Sequence, residues 1–175
     1  MKVSFEATFE DFMDVCIRTI KNSKGHNSAK RNGWIISSIF VGLVVLAIVP
    51  STLGEKLIWG VIGSFLIALI YPYLYQKSLE NRARNYCQNQ MGTDDAFLVE
   101  IELNPQGVTS KQLKTQVTHD WSAVQDIQVT SDKVDFIFQD GGITTVRARA
   151  FETPEQQEKF VELAHQYYEA NHPGL

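Results

Sequence analysis

Two uncharged apolar runs with a short polar connection between them are the most constraining feature of this sequence. They cover residues 34–53 and 57–76, and Glu55 and Lys56 lie between them. At a rise of about 1.5 Å per residue, each run would form a helix about 30 Å long, which matches the hydrocarbon core of a bilayer. Neither run has the charged stripe that a soluble helix turns toward water. The sequence therefore predicts a transmembrane helical hairpin over residues 34–76 rather than the buried hairpin of a soluble protein.

Aromatic and basic residues mark the ends of the two runs. The aromatic residues in these positions are Trp34, Trp59, Tyr71, Tyr73 and Tyr75. Aromatic rings are enriched at the interfaces between membrane and water, and basic residues are enriched on the cytoplasmic side. The basic residues precede the first run and follow the second, whereas the connection holds one lysine beside one glutamate. We therefore expect a multi-pass membrane protein with both termini in the cytoplasm.

Five basic residues near the predicted interface are weak candidates for contact with lipid headgroups: Lys30, Arg31, Lys77, Arg82 and Arg84. The simpler interpretation, which we favour, is that they only determine topology, because basic flanks accompany most membrane spans. Of these, Arg82 and Arg84 could touch lipid phosphates.

Small residues recur at every fourth position within both runs, and we expect them to pack helices together. They are Ser38 and Gly42 in the first run, and Gly60, Ser64 and Ala68 in the second. Such residues let helix backbones approach closely in lipid. The packing can lie inside the hairpin or between copies in a homo-oligomer. Neither run contains a charged residue or a histidine, so an ion pathway or proton relay has no support from the sequence.

The segment before the hairpin, residues 1–33, predicts a strand followed by a helix. Residues 2–9 alternate between polar and apolar, and apolar residues then recur at helical spacing to about Lys21, after Thr8 and Asp11 as a helix-start box. We expect the strand to pair with a sheet in the C-terminal third. The helix is expected to pack on that domain, and a position on the membrane surface is the alternative. Residues 22–28 predict a loop.

The segment after the hairpin begins with a predicted juxtamembrane helix and linker, residues 77–95, with a break at residues 92–95. Its helix has an apolar side, formed by Leu79, Ala83, Tyr86, Cys87 and Met91. The period then changes to two, with strands predicted at residues 97–103, 108–111, 115–121, 127–130, 134–138 and 143–147.

A last helix follows these strands, with Thr153 as its cap and Pro154 in its first turn. Six short strands and one amphipathic helix are typical of a pleckstrin-homology-like β-barrel, so residues 96–175 are predicted to form such a cytoplasmic domain. The predicted fold class is α+β: a transmembrane helical hairpin with this barrel and its capping helix. Within the barrel, Trp121 is expected in the core and Gly141 with Gly142 in a hairpin turn.

The whole layout resembles the YcxB-like family of small bacterial membrane proteins. The resemblance is carried by residues 9–12 (FEDF), 101–108 (IELNPQGV), 120–127 (DWSAVQDI) and 149–151 (RAF), together with the paired hairpin. It implies a location in the bacterial inner membrane and a pleckstrin-homology-like cytoplasmic domain. It implies no activity and no catalytic residues.

Residues that could carry chemistry are scattered. Cys16 and Cys87 lack CxxC spacing and are expected as free cytoplasmic thiols. The four histidines show no metal-ligand spacing, and His119, Asp120 and Ser122 cannot converge as a triad because neighbours along a strand point to opposite faces. We therefore predict no catalytic residues, no metal, no cofactor and no enzymatic activity.

Charge and architecture together favour a binding role. Residues 94–175 carry six basic and fourteen acidic residues, so this segment has no overall attraction for nucleic acid. We expect a membrane-anchored binding or scaffolding module that contacts the bilayer and a protein partner at the cytoplasmic face. The alternative is an oligomeric pore or transporter-associated subunit, and an enzyme acting on lipid is a more distant one.

Overall fold

The computed structural model of the chain describes residues 1–48, 52–91, 96–113 and 115–172, which form two compact units. We call Met1–Ser23 together with Asn85–Leu175 the sheet domain, and Lys24–Arg84 the hairpin unit. The sheet domain thus combines sequence from both sides of the apolar runs. The predicted helix break at residues 92–95 lies outside the described residues.

The N-terminal segment forms a strand and a capped helix, as predicted. Strand β1 (Lys2–Ala7) alternates between exposed and buried residues, and helix α1 (Phe9–Asn22) follows directly. The Thr8 hydroxyl accepts a hydrogen bond from the Asp11 amide at 3.3 Å, and the Asp11 carboxylate accepts one from the Thr8 amide at 2.9 Å. This reciprocal arrangement satisfies donors that the start of a helix leaves free.

Two long helices follow, α2 (Lys24–Ile48) and α3 (Leu53–Met91). The predicted loop at residues 22–28 is wrong, because only Ser23 separates α1 from α2. Lysine and arginine are good helix formers, and they continue the helix of the apolar run toward the N-terminus. Leu53 begins α3 and does not belong to the first run. Pro72 lies inside α3.

Six strands and a final helix follow α3. They are β2 (Phe97–Asn104), β3 (Gly107–Gln112), β4 (Thr115–Asp120), β5 (Val124–Val129), β6 (Lys133–Phe138), β7 (Ile143–Arg147) and α4 (Pro154–Asn171). Two predicted boundaries are corrected. Trp121 starts a 3-10 turn instead of ending β4, and β5 begins three residues earlier than predicted. Thr153 caps α4 through the Gln156 amide at 3.3 Å, with Pro154 at the first position.

The seven strands form two antiparallel sheets. The first sheet has the order β1-β2-β3-β4 and the second β5-β6-β7. Lys2 lies opposite Glu102 and Ala7 opposite Phe97, so the N-terminal strand joins the C-terminal sheet as predicted. The predicted closed barrel does not form, because no strand pairing joins the two sheets within the described ranges. Asp120 and Val124 flank the 3-10 turn where the chain leaves the first sheet and enters the second.

The core of the sheet domain lies between the two sheets and α4. Its largest fully buried side chains are Ile101, Trp121, Phe136, Phe138 and Phe160. Trp121 is a core residue as predicted, and its ring nitrogen donates to the Asn104 carbonyl at 2.8 Å. Phe160 and Ala164 form the buried side of α4.

Two further expectations concern the β6–β7 turn and the apolar side of α3. Gly141 has a φ of +90° in the β6–β7 turn, which is the conformation that glycine adopts without strain. Leu79, Ala83 and Cys87 of α3 are buried as predicted, whereas Tyr86 is 55% exposed and does not belong to that apolar side.

Candidate functional site

The small residues that we predicted as packing positions lie where α2 meets α3 in the hairpin unit. The Ser64 hydroxyl donates to the Ser38 carbonyl at 3.0 Å, and a methyl group on Gly42 would lie 3.1 Å from the Ser64 oxygen. Gly60 faces the Gly42 carbonyl. The Ala68 carbonyl accepts a hydrogen bond from the Trp34 ring at 3.2 Å. All five predicted residues are therefore brought together within one hairpin.

Aromatic contacts extend this packing toward the end of the hairpin unit where α2 begins. The Tyr71 hydroxyl lies so close to Gly33 that a methyl group there would collide with it. Tyr71 stacks on Tyr75, whose hydroxyl lies 3.3 Å from His26 Nδ1. The predicted aromatic belt thus also fastens α2 to α3.

The five predicted headgroup residues lie at this same end and are all exposed: Lys30, Arg31, Lys77, Arg82 and Arg84. Two belong to α2 and three to α3. The antiparallel helices therefore collect basic groups from both flanks of the apolar runs at one end of the unit. Arg84 also makes an interaction of its own. The role of the five residues in headgroup contact stays a prediction.

The histidines and cysteines, which we expected to carry no chemistry, make the following contacts. His119 stacks on Phe138 with ring centroids 3.9 Å apart. No group of three or more histidine, cysteine or acidic residues has metal-binding geometry in the described part of the chain. Cys16 and Cys87 are both free thiols, and they contact each other. Burial, followed by the contact with Cys87, raises the pKa of the Cys16 thiol to about 12.

An ionic cluster between α1 and the second sheet is the most concentrated set of charged groups in the sheet domain. At its centre, the Asp135 side chain is only 6% exposed. It accepts hydrogen bonds from Arg18 Nη1 at 2.6 Å and from the Thr145 hydroxyl at 2.5 Å, and Lys133 Nζ lies 3.3 Å away. Arg18 Nη2 also donates to the Thr145 hydroxyl at 2.8 Å. This carboxylate is buried and fully surrounded by donors.

A second part of the cluster surrounds Arg147, at the end of β7. Its guanidinium lies 3.1 Å from Asp11 Oδ1, 3.2 Å from Asp14 Oδ2 and 3.1 Å from Asp132 Oδ2. The contact of Nε with Asp11 lacks hydrogen-bond geometry, so this buried donor is held by charge alone. Asp11 also pairs with Arg149.

The charges of the cluster balance one another. Its four cations are Arg18, Lys133, Arg147 and Arg149, and its four acids are Asp11, Asp14, Asp132 and Asp135. Burial alone would raise the pKa of Asp11, but hydrogen bonds from the Thr8 amide and from Arg149 hold it below its usual value. The neutralised cluster is therefore suited to holding α1 on the sheet.

A cavity of about 70 Å³ lies beside this cluster, between α1, the first sheet and β7. Its apolar wall includes Phe5, Phe97, Val99 and Ile101, and its polar wall includes Arg147. One ordered water needs about 10–15 Å³ on the same measure, so the cavity can hold a few waters. The ring of Phe12 closes it from α1 and packs edge-on against Phe97 with centroids 5.8 Å apart.

Sequence reasoning missed this cluster. Its charged residues come from three separate stretches of sequence, and their spacing follows no metal or catalytic motif. One signal was present: Asp135 stands in a short strand of otherwise apolar residues after Lys133, where only a paired charge is tolerated. The partner of that charge could not be read from the sequence.

Comparisons of the chain with protein-family models, with curated proteins and with solved structures found no match.

Proposed function

We propose that this chain is an integral membrane protein whose sheet domain acts as a binding or scaffolding module at the membrane surface. The observation that carries the proposal is the pairing of β1 with β2. These strands flank the two apolar helices in the sequence, yet they lie side by side in one sheet. A single sheet cannot form across a bilayer, so the chain must enter the membrane and return to the same side.

The surface of the hairpin unit supports membrane insertion. Residues Ser28–Ile48 and Leu53–Asn89 are long and apolar enough to cross a membrane. Large apolar side chains around both helices are exposed, among them Ile36 at 66%, Phe40 at 65% and Val61 at 70%. Exposed apolar patches of this extent do not persist in water. Lipid is an environment in which these apolar side chains can stay exposed. The helix backbone needs no water there, because its polar groups bond one another within the helix.

The orientation and fold class in this proposal follow from charge and topology. Basic residues at the end of the hairpin unit where α2 begins favour a cytoplasmic sheet domain in a bacterial inner membrane, with both termini inside. Two antiparallel sheets followed by α4 have the element order of a pleckstrin-homology-like domain, with the hairpin inserted between β1 and β2. Membership of the YcxB-like family belongs to the same proposal.

A binding role fits the domain better than catalysis or pore formation. The ionic cluster neutralises its own charges, and the first sheet ends in exposed edge strands that a partner can reach. Anchoring confines such a domain to two dimensions, which raises its effective concentration toward partners on the same membrane. The pore alternative would use the small-residue ladder between copies, but Ser64 bonds Ser38 inside its own hairpin.

Site-specific photo-crosslinking in living bacteria tests the proposal. A benzophenone residue would replace exposed positions of the sheet domain one at a time, such as Leu98, Gln116 and Val129. Position Phe40, on the exposed surface of the hairpin, is the control for lipid contact. We expect one recurrent protein adduct from neighbouring positions of the domain, identified by mass spectrometry. Only self-adducts or lipid adducts from every domain position would overturn the binding role.

A second measurement addresses the oligomeric alternative. Ser64→Leu removes the hydrogen bond to Ser38 and places a larger side chain against Gly42. If the ladder joined copies, this change would alter the size of the protein in detergent. We expect an unchanged size in analytical ultracentrifugation and a less stable hairpin.

A further inference from the structure

The outer edge of β1 presents free backbone groups. Met1 and Leu103 exchange both backbone hydrogen bonds, at 2.6 Å and 2.8 Å. In an antiparallel pair such bonded positions alternate, so the odd-numbered residues of β1 bond β2 and the even-numbered ones point away. The Glu6 carbonyl confirms this alternation, because it accepts hydrogen bonds from Arg149 at 2.9 Å and 3.1 Å on the outer side.

The outward backbone groups of two residues on this edge have no partner among the described residues. Within the described part of the chain, no hydrogen bond reaches the outward amide and carbonyl groups of Lys2 and Ser4. Arg149 therefore occupies one end of the edge and leaves its first half open. Four backbone groups in a row, two donors and two acceptors, form a template for one added strand.

A groove of about 320 Å³ runs beside this open half. Its near wall is β1 from Lys2 to Ser4, and its far wall is the segment that leads into α4. The far-wall residues are Arg149, Ala150, Phe151, Glu152 and Gln156. The far wall is fixed, because the Gln156 side chain accepts a hydrogen bond from the Glu152 amide at 2.7 Å. The edge thus has a bounded space next to it.

The outer face of the first sheet shows which side chains suit an added strand. Glu100 lies between two lysines, 2.9 Å from Lys2 Nζ and 3.7 Å from Lys111 Nζ, so charge alternates across three strands. The hydrogen bond from Lys2, followed by its charge and that of Lys111, lowers the pKa of Glu100. Lys2 is the last charge before the open edge, and its side chain is 54% exposed. An acidic residue in the next strand would continue the alternation.

The inner face makes a different demand. Val3 points inward and is buried, and the apolar residues of the far wall are Ala150 and Phe151. Successive residues of a strand point to opposite faces. A strand that fits both faces therefore alternates apolar residues with acidic ones.

We propose that this groove binds an extended peptide segment of a partner protein, with alternating apolar and acidic residues, as an added strand on β1. The proposal rests on the proposed binding function and names its surface and the chemistry of its partner. Main-chain hydrogen bonds to Lys2 and Ser4 provide the affinity, and Lys2 with the Ala150–Phe151 wall provides the preference. An open edge of only two outward-facing residues gives weak binding. Confinement of both proteins at one membrane would strengthen it.

The test uses the full chain in lipid nanodiscs and a synthetic octapeptide that alternates valine with glutamate. Binding is followed by fluorescence anisotropy of the labelled peptide, and its location by amide chemical shifts. We expect saturable binding with the largest shifts at Lys2 and Ser4. A valine–lysine octapeptide should bind at least about tenfold more weakly, since its charges meet Lys2.

Ser4→Pro removes one outward donor, and an edge strand tolerates proline there because that amide bonds nothing in the domain. It should weaken binding about tenfold, the effect of about one hydrogen bond. Ser4→Ala is the matched control and should bind as the unchanged chain does. Should Ser4→Pro fail to fold, a valine–glutamate peptide N-methylated on alternate residues provides the same comparison on the unchanged chain.

Absence of binding by the valine–glutamate peptide would overturn the proposal. So would equal binding to Ser4→Pro, or shifts centred on the edge strand β4. These outcomes remain distinct from failure of the binding function itself. A partner crosslinked in cells from another face would retain the binding module and exclude the β1 groove.

Discussion

Replacing Asp135 with asparagine tests whether the ionic cluster holds α1 on the second sheet. The change preserves the shape of the side chain and removes its charge. Arg18 at 2.6 Å and Lys133 at 3.3 Å then lose the carboxylate that compensates them. Thr145 keeps an oxygen acceptor, so the main loss is electrostatic.

The expected cost follows from burial. Removing one partner of a buried ion pair costs about 3–5 kcal/mol. The side chains of Arg18 and Lys133 are 23% and 22% exposed, and Arg18 retains Asp14 at 3.1 Å. Water and the second acid therefore compensate part of the loss. We expect the free energy of unfolding of the sheet domain to fall by about 2–3 kcal/mol.

Urea unfolding of the full chain in detergent micelles measures this change. Of the three tryptophans, Trp121 alone lies in the sheet domain, so Trp34→Phe and Trp59→Phe make it the only reporter. Asp126→Asn, at an exposed position of β5, is the control and should change stability by less than about 0.5 kcal/mol. A double-mutant cycle with Arg18→Met isolates the pair. If Asp135→Asn matched the control, or the two changes were additive, the cluster would not hold α1.

Four further predictions address other parts of the chain. Cys16 should react with iodoacetamide about a thousandfold more slowly at pH 8 than an ordinary thiol, because its pKa of about 12, compared with 9.0, suppresses the thiolate. Mass spectrometry of the native and the urea-unfolded chain gives the ratio of the two alkylation rates. Equal rates would contradict the burial of this thiol. Since the folded-state pKa is the higher one, the contribution of this thiol to stability is complete below pH 9 and is lost as the pH rises toward 12, and Cys16→Ala should reduce that loss. Gly107→Ala should destabilise the sheet domain by about 2 kcal/mol or more, because the added methyl group meets the His119 carbonyl of β4; Gly54→Ala, which meets nothing within 4 Å, is its control in the same urea assay. Gly42→Val should lower the thermal midpoint of the chain in micelles, because the larger side chain would push α2 away from Ser64 of α3. Gly25→Ala is the control and should leave the midpoint unchanged. Equal midpoints for the two variants would show that Gly42 is not a close contact.

Periodicity made most elements predictable. Long apolar runs, alternation in the strands and a capped final helix each depend on residues close in sequence. That β1 joins the C-terminal sheet was also predictable, because an isolated strand must find a partner. The prediction of a loop at residues 22–28 was wrong, because a polar composition is typical of loops even where an adjoining helix extends through the segment.

The ionic cluster was not predictable for the opposite reason. Asp11, Arg18, Asp135 and Arg147 come together only through the packing of α1 on the second sheet. Charged residues on an amphipathic helix are normally assigned to its solvated face. The free half of the β1 edge was equally hidden, because it depends on hydrogen-bond register and on the position of Arg149.

The position of the hairpin within the sheet domain has a consequence for assembly. Ala7 lies opposite Phe97, so the chain leaves the first sheet and returns to it at adjacent strand positions. The two long helices therefore replace the short turn that would normally join β1 to β2. During synthesis β1 emerges first and has no partner strand until both helices have been made. Completion of the first sheet, with its open outer edge on β1, thus requires that both helices of the hairpin have already been made.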